Sequence, residues 1–198
     1  MATGSLRHIF PSHESLFIEL MADNATRAAA QIQAVYAREL AAGTPKRDMF
    51  LAILREVIPL TDATRTQLVV QLALFTSHPD STPIRESIND AGTKLDQLCT
   101  DIVGQLRPDL DPTGDASTEL ATDLRVALDG IALRCLENPA IATDTTSRGA
   151  EATLTRALDR ITEAQNHRNV NAKAGHRPNA SAPLPRFALG ATTSHHPR

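Results

Sequence analysis

Between Thr82 and Arg107 the apolar residues Ile84, Ile88, Ala91, Leu95, Leu98, Ile102 and Leu106 recur in steps of three and four. That spacing puts them on one stripe of an α-helix, and a helix with one apolar stripe must bury it against others. The same period returns along the chain. Leu16, Phe17, Leu20, Met21, Ala25, Ala28, Ile32, Val35, Tyr36 and Leu40 predict one long helix. Ser12 is placed to cap its start, Glu14 suits the positive end of its dipole, and Gly43 suits a left-handed cap at its end. Thr44 and Pro45 then read as the cap and first position of a helix that buries Met49, Phe50, Ile53, Leu54, Val57 and Ile58 and stops at Pro59. From Ala116 to Leu136 the stripe is Leu120, Leu124, Leu128, Ile131 and Cys135. A mid-helix glycine there, Gly130, costs about 1 kcal/mol against alanine and so predicts a close helix approach. A last helix runs from Arg148 to about Ala164, with Leu154, Ala157, Leu158 and Ile161 apolar. The fold class is all-α.

One segment is ambiguous. Leu68, Val69, Val70, Leu72, Ala73, Leu74 and Phe75 are apolar around nearly a whole helical circumference. Residues 68–75 alone would suit a buried strand, but Gln67, Gln71 and the helical flanks favour a helix from about Ala63 to Ser77. A helix apolar all round is expected at the centre of a fold. His78-Pro79-Asp80 is a turn.

The chain has 198 residues, enough to bury a substantial core, and its 41% hydrophobic and 22% charged content is that of an ordinary globular protein. With no Trp and one Tyr, the core must be built from Leu, Ile, Val and Ala, which suits helices. Five of the 20 basic residues, Arg168, Lys173, Arg177, Arg186 and Arg198, lie beyond Ala164 with none of the 23 acidic ones. The body therefore carries −8 and the tail +5, and the body has no basic footprint for nucleic acid. Residues 166–198 show no period and read as a disordered tail. Its histidines His176, His195 and His196 read as solvated rather than metal-binding. Cys99 and Cys135 fall on apolar stripes without zinc-type spacing and read as buried free thiols of a reducing compartment. No apolar run reaches membrane-spanning length and no secretory pattern opens the chain, so a cytoplasmic protein is expected. Neither a nucleophile elbow nor paired carboxylates occur, so enzyme activity, cofactor and metal have no support.

The stretch Gly4-Ser-Leu-Arg-His-Ile-Phe-Pro-Ser-His-Glu-Ser-Leu16 resembles a family pattern. It is similar to the Gly-x-Leu-Tyr-x-Tyr-Phe-x-Ser-Lys-Glu-x-Leu run joining the recognition helix to the fourth helix in TetR/AcrR-family transcriptional regulators. Ile58-Pro-Leu-Thr-Asp62 with Arg65 resembles the Leu-Pro-Leu-Asp-x-x-Arg run of many family ligand-binding domains. Leu124-x-x-Ala-Leu-Asp-Gly-Ile-Ala-Leu133 resembles their penultimate helix. The likeness covers roughly residues 3–163. It departs from the pattern at Arg7 and Ile9, where tyrosines are common, and at His13, where a phosphate-contacting lysine is usual.

The resemblance implies a TetR-like ligand-binding and dimerisation domain over residues 12–165, behind a truncated helix-turn-helix remnant at residues 1–11. Two further helices would precede that remnant in a complete family member, so operator DNA is a partner if the true N-terminus is longer. Thr3, Gly4, Ser5, Leu6, Arg7, His8 and His13 would then be the DNA-binding residues. The last two helices would pair two copies as a homodimer through Leu120, Leu124, Leu128, Ile131, Leu154, Leu158 and Ile161. A small apolar effector would sit among the central helices, with Tyr36, Met49, Phe50, Leu72, Phe75, His78 and Leu95 as its pocket. Effector binding would tilt the long helix starting at His13 and change the separation of two recognition helices, which must match major grooves about 34 Å apart. The implied function is effector-controlled transcriptional regulation, most simply repression. The alternative is a ligand-binding and dimerisation module without DNA binding, acting through heterodimers.

Overall fold

Helix ends follow from local chemistry. The computed structural model describes residues 12–137 and 144–171. These form α1 (His13–Ala41), α2 (Lys46–Val57), α3 (Asp62–Ser77), α4 (Thr82–Leu106), α5 (Asp115–Glu137) and α6 (Asp144–Asn171), with no strand among the described residues. Ser12 caps α1 as expected, and its oxygen accepts from the Ser15 N–H at 3.0 Å while the Ser15 hydroxyl accepts from the Ser12 N–H at 3.2 Å. At the other end Gly43 takes φ +68°. Its N–H bonds the Leu40 carbonyl at 3.1 Å, and that of Thr44 bonds the Glu39 carbonyl at 3.0 Å. This pair of bonds is the Schellman closure that a left-handed glycine permits.

The boundaries of two helices differ from expectation. Pro45, not Thr44, is the cap of α2; the Thr44 hydroxyl donates instead to Glu39 Oε2 at 2.8 Å. That bond and the Arg38 guanidinium hold the Glu39 carboxyl below its ordinary pKa, Arg38 contributing most. At the C-terminal side, α6 begins before Arg148 and continues to Asn171, so the expected domain boundary at residue 165 falls inside a helix. The rest of the tail, from residue 172, lies outside the described residues.

The core lies between α2, α4, α5 and α6, with the middle of α1 against it through Ile32 and Val35. α4 is its axis and packs against all five other helices. Ile84, Leu98, Ile102 and Leu106 of the expected α4 stripe are buried, and Ile88, Ala91 and Leu95 are half-buried. A smaller cluster joins Phe17, Met21 and Ile84, covered by Leu74 and Ile88, at the start of α1 and α4. The Ser81 hydroxyl, which caps α4, also donates to the Glu14 carboxylate and ties these two helix starts together.

The expectation that α3 is central is overturned. It packs chiefly against α4 and α5, and Val69, Leu72 and Phe75 are 51%, 37% and 43% exposed. The central place goes to α4, whose 25 residues reach every neighbour. Leu68, Gln71 and Leu74 of α3 are no more than half-buried. Gly130 also departs from expectation, because no atom lies within 4 Å of where its Cβ would stand. Among the described residues no close helix approach requires that glycine.

Candidate functional site

Arginines lock the last helix in place. Arg107, 2% exposed, follows the last turn of α4. Its Nε and Nη2 each donate to the Asp109 carboxylate at 2.9 Å, and Nη1 reaches the Ile161 carbonyl of α6 at 3.3 Å. Arg47 of α2 donates to Asp159 of α6 at 2.6 Å, and Arg55 of α2 pairs with Glu151. Arg125 of α5 donates to the Gly92 carbonyl at 3.0 Å and to Asp96 at 2.7 Å, both on α4. Carboxylates beside Arg47 and Arg107 raise both guanidinium pKa values above the ordinary one, for Arg47 chiefly through Asp48 and for Arg107 through Asp109. No motif search singles out these clamps, because each pairs residues far apart in the chain.

Held this way, α5 and α6 lie side by side. Leu124, Leu128 and Ile131 interlock with Leu154, Leu158 and Ile161, and none of the six is more than 5% exposed within a single chain. These were the expected contacts with a second copy; burial of that depth makes them the interior of one copy, with little surface to offer another. Leu120 alone is half-buried. The accessible surface beside them is a small groove of about 100 Å³, bounded by Leu120, Asp123, Ala127, Arg156, Ala157 and Arg160. Asp123, Arg156 and Arg160 make no ion pair among the described residues, and Arg156 bonds only the Thr153 hydroxyl, at 3.0 Å.

The seven expected pocket residues are divided by the fold. Met49 and Phe50 are fully buried in the main core, and Tyr36 and Leu95 pack half-buried against it. Leu72, Phe75 and His78 stand exposed on or just after α3. They do not line one cavity, because the helix thought central lies at the edge. An open cleft of about 320 Å³ lies instead between the start of α3 and the end of α5, lined by Asp62, Arg65, Thr66, Val69, Cys135 and Leu136. Its sequence signal was Asp62 with Arg65, the end of the run that resembles family ligand-binding domains.

Both thiols are buried and free. Burial pushes Cys99 up to about 12, against a smaller opposing pull from Arg125. Burial also raises Cys135, whose thiolate Arg65 would favour.

The sequence of residues 45–163, which covers α2 to α5 and most of α6, matches the family described as BetI-type transcriptional repressor, C-terminal. That is more than half of the chain. The protein belongs to the TetR family of transcriptional regulators. No curated protein and no solved structure matches it significantly. As a TetR-family C-terminal body it has the helical architecture and order anticipated from the sequence. The residues expected to touch DNA, Thr3, Gly4, Ser5, Leu6, Arg7 and His8, lie outside the described residues; His13 opens α1, and its side chain is likewise not described. Among the described residues no helix is long and apolar enough to cross a membrane.

Proposed function

We propose that this TetR-family protein is a repressor that acts as a homodimer and is released from its operator by a small effector. The observation that carries this reading is the match of residues 45–163 to a repressor's C-terminal domain. The groove between α5 and α6 supports the dimer, since one wall offers an acid and the other two arginines, none engaged in an ion pair among the described residues. A two-fold axis through such a groove sets Asp123 of each copy against Arg156 or Arg160 of the other, the self-complementarity that an isologous contact needs. The long α1, starting next to the proposed DNA-contacting stretch and reaching the core through Ile32 and Val35, is the lever by which the body would move the DNA-reading segment.

The test is a mobility-shift titration of the full chain on its own upstream region, against unrelated DNA of equal length. Selective binding is expected, and Arg7→Ala or His8→Ala should weaken it about 10- to 100-fold, the worth of one base contact. Selective binding that survives both changes would refute their assignment. An intact dimer without selective binding would favour the other reading, a helical module acting through heterodimers.

A further inference from the structure

Arg65 is 8% exposed, and the one hydrogen-bonding partner of its guanidinium among the described residues is Asp62. The Asp62 side chain is 92% exposed, so water screens its carboxylate and the pair offsets little of the cost of desolvating the guanidinium. That bond uses Nη2 only, and a guanidinium has five N–H groups. Among the described residues no side-chain polar atom is both sealed from solvent and unpartnered. The Nε and Nη1 groups therefore open on accessible space, and Arg65 lines the cleft between α3 and α5. Val69 stands beside it on α3, and across the cleft are Leu136 and the Cys135 thiol, which burial keeps protonated and uncharged. A nearly buried cation with spare donors beside apolar walls lacks an anion that brings its own apolar part.

We propose that this cleft binds a small monocarboxylate with a short apolar chain, the carboxylate on Arg65 and the chain along Val69 and Leu136. One cation faces it, and Asp62 disfavours a second negative charge, so a dianion fits poorly. The volume of about 320 Å³ lies at the lower end for small-molecule sites, which limits the chain to a few carbons. Such a ligand bridges the first turns of α3 to the last turns of α5, and so fastens the helix that the core holds least. The inference rests on the effector-control reading for its consequence in regulation, while binding itself is independent of DNA.

The experiment uses the full chain and three probes with one apolar body: hexanoate, 1-hexanol and hexylamine. Calorimetric titration should show saturable hexanoate binding with a raised Tm, and at least about tenfold weaker binding of the other two, as expected for a lost charged hydrogen bond. Arg65→Met, which keeps the packing stem, should weaken hexanoate by about tenfold or more. Val69→Trp, at an exposed position, should block the cleft with Arg65 intact, and it decides the matter if Arg65→Met fails to fold. Equal binding of hexanol and hexanoate, undiminished binding to Val69→Trp, or no binding by the wild type would overturn the proposal. None of these results alters the mobility-shift assay, so failure of the ligand class is distinguishable from failure of the regulator reading.

Discussion

Leu158 has no accessible surface in the folded chain, so Leu158→Ala removes buried methyl groups and leaves a cavity. The expected loss is about 2–5 kcal/mol, read as a lower urea midpoint at unchanged slope. Val126→Ala, at a side chain 64% exposed, should stay within about 0.5 kcal/mol; similar losses at both sites would refute the packing described. Cys99 makes a pH statement at the same scale. Its folded pKa lies near 12, above that of an unfolded cysteine at about 8.5. The protonated thiol thus contributes stability that is complete below about pH 8.5 and is lost as pH rises toward 12, by up to about 1.4 kcal/mol per unit. Melting curves from pH 7 to 10 should show a steeper alkaline fall for the wild type than for Cys99→Val, and parallel falls would count against this burial. The identity of Cys99 as a buried thiol was legible from its stripe. Arg107 was not, because its acceptor on Ile161 is reached only after the chain has returned through two further helices.

At the scale of elements, α3 separates composition from position. Its capping box, in which Thr61 and Thr64 each accept the other's N–H at 3.2 and 3.1 Å, starts the helix firmly. Beyond Arg65 it has no charge, and an outward surface that includes Val69, Leu72 and Phe75. Few buried contacts mean a low free energy of local opening. Hydrogen exchange should therefore release the amides of α3 well before those of α4 around Leu98–Ile102. Equal protection would show that α3 is held by more than the contacts described. Hydrophobic periodicity located this helix, yet an all-apolar circumference does not say which helix will occupy the centre. That is settled by which one can touch all the others, and the 25-residue α4 does so.

For the whole molecule, the proposed two-fold contact is testable by charge. Placing Asp at Leu128 or Leu158 would unfold the chain rather than separate copies, because both are core residues. Asp123→Arg changes only the exposed groove and should shift the chain toward monomer in sedimentation. Adding Arg156→Asp and Arg160→Asp should restore the dimer by reversing both walls together. A dimer indifferent to Asp123→Arg, or one that the triple variant fails to recover, would place the contact elsewhere. The same groove gives Gly130 no role, and its exposed position on α5 has no explanation within one chain.

Sequence alone determined the helices, most of their ends and the family, since these depend on neighbours within a few residues: stripe spacing, a serine or glycine at a cap, a proline at a stop. It also marked Leu124, Leu128, Leu154 and Leu158 as apolar contact residues, and the family resemblance assigned their partners to a second copy. Tertiary structure decided that they are one chain's interior, that α3 lies at the edge, and that Arg65 meets Cys135 and Leu136 across a cleft. Each of these depends on how helices distant in sequence compete for a limited interior, and periodicity measures only the demand for burial.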